Sequence, residues 1–198
     1  FAILFAAGVY LAIREPGPQA PAADAGRTDL EAIAESVGGT AWLAKALRKD
    51  LEVSYGRMLV YGDGRLRFVD GLEVKLPDRS GRDFRLTARQ GEGREDQTAM
   101  NVEGDVRLEA SDGLVVNAER AAYDSAEDIV RVPDAVRFSR NRMRGSSRGA
   151  TYDRTRDVLW MLADAAIDVE PAPDGTGQMA LRAGAAGFAR RDRYLRLE

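Results

Sequence analysis

The first thirteen residues, Phe1 to Ile13, carry no charge, and Arg14-Glu15-Pro16 ends that run. At about 1.5 Å per residue, a helix of this length reaches ~20 Å, short of the ~30 Å hydrocarbon core of a bilayer. Three readings fit: a membrane anchor over residues 1–15 that begins further upstream, the core of a signal peptide, or a buried helix of a soluble domain. The last needs a polar face at helical spacing, and none is present. The first two place the rest of the chain outside the cytoplasm. Gly17-Pro-Gln-Ala-Pro-Ala-Ala23 then reads as an extended linker. The pattern next predicts helix over 28–50. Thr28 and Glu31 have capping-box spacing, and Leu30, Ile33, Ala34 and Val37 share a helical face. Gly38-Gly39 divides this stretch, and Trp42, Leu43 and Leu47 are placed to dock onto the following domain or a membrane surface.

From Leu51 the period of the pattern becomes two. Gly62-Asp63-Gly64 predicts a turn between strands at 57–61 and 65–69. Leu66, Phe68, Leu72, Val74, Leu76, Phe84, Leu86, Ala88, Met100, Val102, Val106 and Leu108 alternate with charged residues such as Glu103, Asp105 and Arg107. This is the half-buried pattern of an antiparallel sheet, and it runs almost to Glu198.

The chain also repeats itself. Val102-Glu-Gly-Asp-Val-Arg-Leu108 matches Val132-Pro-Asp-Ala-Val-Arg-Phe138 at a spacing of 30 residues. Leu162-Ala-Asp-Ala-Ala-Ile-Asp-Val169 reads as a third copy 30 residues on, with a one-residue bulge, and Val69 to Leu76 as a looser upstream copy. A second strand ends alike in two copies, at Tyr123-Asp124 and Tyr152-Asp153. Turn chemistry at Asp112-Gly113, Asp124-Ser125 and Asp174-Gly175 separates three short strands per unit. One such unit cannot bury its own apolar face, so units must stack. A β-solenoid, an elongated jelly roll or an open V-sectioned sandwich would satisfy this. Each leaves two open ends able to accept a strand from another chain.

The residues expected to face inward are Leu72, Val74, Leu76, Phe84, Leu86, Met100, Val102, Val106, Leu108, Leu114, Val116, Val136, Phe138, Trp160 and Leu162. They suit a packed core or an apolar trough between two sheets that holds acyl chains. Periodicity does not separate the two.

Composition narrows the chemistry. The 198 residues include no cysteine and no histidine, which excludes thiol and histidine catalysis, disulfide staples and zinc fingers. A net charge of −3 gives no footprint for nucleic acid. Carboxylate pairs such as Asp63 with Asp70, or Asp153 with Asp157, fall on turns or outward positions where solvated charge is the ordinary state. No catalytic residue, metal or cofactor is expected. Arg140, Arg142, Arg144 and Arg148 form a local basic cluster, either a solvated turn or a contact for lipid phosphates.

The V-x-G-[DN]-V-x-[LF] units, each leading into a strand ending A-x-Y-D, resemble the repeat of lipopolysaccharide-transport proteins of the OstA-like family. The copies at 102–108 with Tyr123-Asp124, and at 132–138 with Tyr152-Asp153, carry the resemblance. One apolar N-terminal segment before such a domain is similar to its single-pass LptC-type members. The resemblance implies an all-β fold, an elongated antiparallel β-jelly roll of V section over 51–198, after an anchor at 1–15 and a linker with short helices at 16–50. It implies a bacterial inner-membrane protein with its main domain in the periplasm. It would accept lipopolysaccharide from an inner-membrane ABC transporter and pass it to an LptA-like protein. The groove would comprise the inward residues above other than Leu114 and Leu162, and the partner edge would be the last strand with Tyr194, Leu195 and Leu197.

Overall fold

The computed structural model describes residues 28–45, 48–77, 83–95, 99–153, 155–156, 158–189 and 194–198. The account below concerns the unit Glu31–Glu198. The expected anchor at 1–15 and linker at 16–27 lie outside the described residues. No described helix is long and apolar enough to cross a membrane.

Fourteen strands form one antiparallel sheet among the described residues. They are β1 (Ala32–Lys45), β2 (Arg48–Tyr61), β3 (Arg65–Pro77), β4 (Asp83–Ala88), β5 (Gln90–Arg94), β6 (Ala99–Ala110) and β7 (Val115–Asp124), followed by β8 (Ile129–Arg140), β9 (Met143–Asp153), β10 (Val158–Met161), β11 (Ala165–Val169), β12 (Met179–Ala183), β13 (Ala186–Ala189) and β14 (Tyr194–Leu197). Three pairs of consecutive short strands act as single bent ones, β4 with β5, β10 with β11, and β12 with β13, and counted so each strand pairs with its neighbours in sequence. The expected turn at 62–64 is present, with Gly64 N donating to Tyr61 O at 3.1 Å.

The described residues of 28–50 are not helical. Ala32–Lys45 and Arg48–Tyr61 pair along their length, so the expected helix is an edge strand and its neighbour. Leu30, Ile33 and Val37, grouped on one helical face by spacing, are 84%, 68% and 71% exposed. Gly38 takes a φ of 64°, which disfavours a helix, while β2 offers an unpaired edge whose backbone groups are satisfied by this segment. Helical propensity is a weak prior against such pairing. The β domain therefore begins near residue 32 instead of 51. Docking by Trp42, Leu43 and Leu47 rests on side chains outside the described residues.

A line of register breaks crosses the sheet at the middle of the long strands from β2 to β9. Ladders skip between Tyr55 and Arg57, Glu103 and Val106, Ala118 and Ala122, and Val132 and Ala135. Arg89 interrupts β4 and β5, and Leu162-Ala-Asp164 interrupts β10 and β11. Positive φ values gather on this line, at Asp70, Gly71, Gly104, Asp105, Gly149 and Asp164. Backbone bonds cross it: Gly71 N to Arg89 O at 3.0 Å, Arg89 N to Gly104 O at 2.9 Å, and Arg148 N to Ala163 O at 2.8 Å. Bulges bend the strand that carries them, so a row of bulges folds the sheet along a crease into two arms. The repeated V-x-G-D-V motif of 102–106 is this crease.

Side chains of both arms meet on one face. Phe68 and Val102 of one arm cluster with Val53, Leu72, Val74, Ala88 and Val106 of the other. Val132 and Ala150 meet Val136 in the middle of the sheet, and Met161 and Ala186 meet Ala165 and Ile167 near the C-terminal end. Ala32, Leu59 and Tyr61 form a separate cluster on the opposite side of β2. The outer face carries cross-strand charge pairs, such as Glu52 with Lys75 at 2.8 Å and Arg120 with Asp134 at 2.7 Å.

Candidate functional site

Because directly paired residues share a face, the registers line up continuous inner rows. In one arm, the row beside the crease runs Phe68, Gly91, Val102, Ala121, Val132, Ala150, Met161, Ala186 and Leu197. Further out lie Leu66, Gly93, Met100, Tyr123, Val130, Tyr152, Leu159 and Phe188. In the other arm, Val53, Val74, Leu86, Leu108, Val116, Phe138, Gly145, Ile167 and Leu181 form one row. Phe84, Ala110, Leu114, Arg140, Met143, Val169 and Met179 form the outermost row of that arm.

Burial falls away from the crease. Val102 and Val106 are 5% and 4% exposed, whereas Met100 and Leu108, two positions further out on the same strand, are half-buried. On β8, Val132 and Val136 are buried while Val130 and Phe138 are half-buried. The inner face is thus tightly packed at the crease and opens toward its margins. At ~25 cal/mol per Å² of apolar area, the half-covered margin leaves burial free energy available to an apolar ligand.

Leu72, Val74, Val102, Val106 and Val136 are therefore in the packed interior, and Phe84, Leu86, Met100, Leu108, Val116 and Phe138 line the half-buried margin. Leu76 lies on β3, with its side chain outside the described residues. Trp160 does not face inward. It pairs with Thr151 and Gly187 on the outer face, 36% exposed, with its ring so close to Gly187 that a Cβ there would lie 2.5 Å from it. Leu162, 53% exposed, sits in the bulge. The third repeat is keyed on Met161, which occupies the place of Val102 and Val132, 29 residues after Val132. The run Val158-Leu-Trp-Met-Leu162 is wholly apolar, so it carries no phase for alternation to reveal.

Sequence reasoning also missed Tyr123, Tyr152, Leu159, Met161, Ile167 and Phe188 as inner residues. The A-x-Y-D ending held a usable signal, since Tyr lies two positions from a buried or half-buried alanine in each copy. Its aspartate closes the turn: Asp124 Oδ1 accepts from Ala126 N at 2.8 Å, and Asp153 Oδ1 from Arg156 N at 2.8 Å. Tyr123 donates its hydroxyl to Asp128 at 2.9 Å.

No family model matches this chain, and no curated protein does. Solved structures do. One is the crystal structure of LptH, the LptA homologous periplasmic component of the conserved lipopolysaccharide transport device from Pseudomonas aeruginosa. It superposes with a TM-score of 0.46 at 10% identity, over 58% of this chain and 80% of that one.

The arginine cluster of β8 and β9 is divided by the fold. Arg144 pairs with Glu170 at 3.0 Å, Arg148 with Asp164 at 2.8 Å, and Arg142 donates to the Glu170 carbonyl at 2.8 Å. Arg140 alone occupies an inner row, and its guanidinium meets Asp112 at 3.0 Å. Of the expected acidic pairs, Asp63 binds Arg65 in the β2–β3 turn, and Asp70 lies on the crease beside Arg57. The Arg65 contact holds the Asp63 carboxyl below the usual carboxylate range. Asp157 lies outside the described residues.

The two ends of the sheet differ. β1 closes one end along its full length. At the other, the arms finish separately: β14 pairs with β13, and β12 pairs with β11. Leu197 continues an inner row onto that last strand and is 48% exposed. Tyr194 and Leu195 share β14, with side chains outside the described residues.

Proposed function

We propose that this chain is a membrane-anchored periplasmic carrier of lipopolysaccharide, which accepts the lipid from an inner-membrane ABC transporter and passes it to an LptA-like bridge protein. The inner rows carry this reading. They are apolar across successive strands, sealed at the crease and half-covered at the margin, as acyl chains lying along the sheet require. The charged outer face keeps such a carrier in water, and β14, which among the described residues pairs on one side alone, offers its other edge for main-chain pairing with the next protein. The apolar run at 1–13 would hold the domain at the membrane. The reading involves no reaction, cofactor or metal.

Photo-crosslinking amino acids at Phe84, Leu108 and Phe138, with controls at the outward Arg107 and Arg137, test it in cells. Lipopolysaccharide adducts at the three inner positions, and none at the controls, are the expected result. No adduct at any inner position would leave a scaffolding β-repeat protein with a dry core as the reading to adopt.

A further inference from the structure

Among the residues of the inner rows given above, Arg140 is the one charged side chain. Its row neighbours are Leu114 on β7's side and Met143 on β9, and Phe138 precedes it on the same face. The row lies four residues beyond Val136, so at ~3.4 Å per residue it sits about 14 Å from the crease, at the open margin of the apolar face. The guanidinium is only partly engaged. One Nη contacts Asp112 Oδ2 at 3.0 Å, while Nε is shielded from solvent and has no acceptor. Asp112 is fixed by its turn, since its Oδ1 accepts from Leu114 N at 3.3 Å. A planar fork shielded on its Nε side and offered only a single close contact by the carboxylate is incompletely matched.

From this geometry we propose that Arg140 is an anchoring site for the anionic head of an amphiphile, a phosphate or carboxylate, whose chains run from the margin toward the crease. The head group takes the guanidinium fork in bidentate fashion and displaces the Asp112 carboxylate, which acts as a stand-in anion. Chain and head are then recognised together: the rows of Phe138, Leu108 and Phe84 take the apolar part, and Arg140 fixes which end lies outward. This deepens the proposed carrier role and rests on it.

Calorimetric titration of the full chain with dodecyl phosphate, dodecanoate, dodecyl maltoside and inorganic phosphate, each below its micelle-forming concentration, tests the site. Dodecyl phosphate and dodecanoate should bind, dodecyl maltoside more weakly, and inorganic phosphate not measurably. Arg140→Met, which continues the apolar row, should weaken dodecyl phosphate about tenfold and leave dodecyl maltoside unchanged. Asp112→Asn should tighten dodecyl phosphate several-fold, and Arg140→Lys should keep part of the affinity without the fork. Wild-type affinity for dodecyl phosphate in a folded Arg140→Met variant overturns the site alone, provided the neutral detergent still binds. Inorganic phosphate binding as tightly as dodecyl phosphate overturns it too, by removing the chain from recognition. Failure of wild type to bind any chain-bearing probe removes the carrier reading itself.

Discussion

Asp70, Asp105 and Asp164 hold φ values of 61°, 51° and 51° on the crease, a region that costs ordinary L-residues about 1–2 kcal/mol and that Asp, Asn and Gly tolerate best. For Asp105 the side chain itself matters little, since it is 84% exposed with one surface contact to Arg89 at 3.2 Å. Its backbone is what the fold uses. Asp105→Gly is therefore expected to unfold in urea at about the wild-type midpoint, whereas Asp105→Val should lose about 1–2 kcal/mol. Equal losses for the two would place the requirement in the carboxylate. The same scale shows a limit of sequence reading. The Gly-Asp of the repeat stands out in the chain as a motif, yet its meaning as a bend emerges only from the two positive φ values and the skipped register around them.

At the scale of elements, adjacent strands are tied on the outer face by charge pairs and on the inner face by apolar contact. The link between β7 and β8 is representative: Arg120 donates two bonds to Asp134, at 2.7 and 2.9 Å. Those bonds hold the Asp134 carboxyl below the usual carboxylate range. A lowered folded value means fewer protons bound in the folded state, so this contribution is present above the unfolded value of about 3.9 and is lost as pH falls through the folded value. Asp134→Asn should accordingly be slightly less stable than wild type at pH 7, by the small amount expected of an exposed pair, and should converge on wild type as pH falls below about 4. Denaturant titrations from pH 2 to 7 would read both, and an unaltered acid limb would assign that slope to other carboxylates. Strands β3, β4, β6, β7 and β8 were legible in the chain because their alternation is clean. β1 was not, since its apolar residues also fit a helical spacing and its pairing partner is what makes it a strand.

For the β unit as a whole, the C-terminal end is held by little. β14 makes a four-residue ladder with β13. Removing residues 194–198 should lower the thermal midpoint by no more than about 5 °C. Under the proposed carrier role it should also abolish pairing with an LptA-like protein in a pull-down with purified partner. A chain that no longer unfolds cooperatively would show that β14 belongs to the core. Phe138 illustrates what the assembled sheet adds. It was legible as inward from its place in the repeat, but its support is Gly145 on the next strand, where a Cβ would collide with the ring.

Alternation with period two, the repeat and the turn aspartates determined an all-β, antiparallel, modular protein and most of its inner residues, because each depends on near neighbours in the chain. Tertiary structure decided the crease, the phase of Trp160 against Met161, the strand at 32–45 and the isolation of Arg140 from its neighbouring arginines. These depend on register between strands, which a slip of one residue reverses, and in an unbroken apolar run nothing local records it.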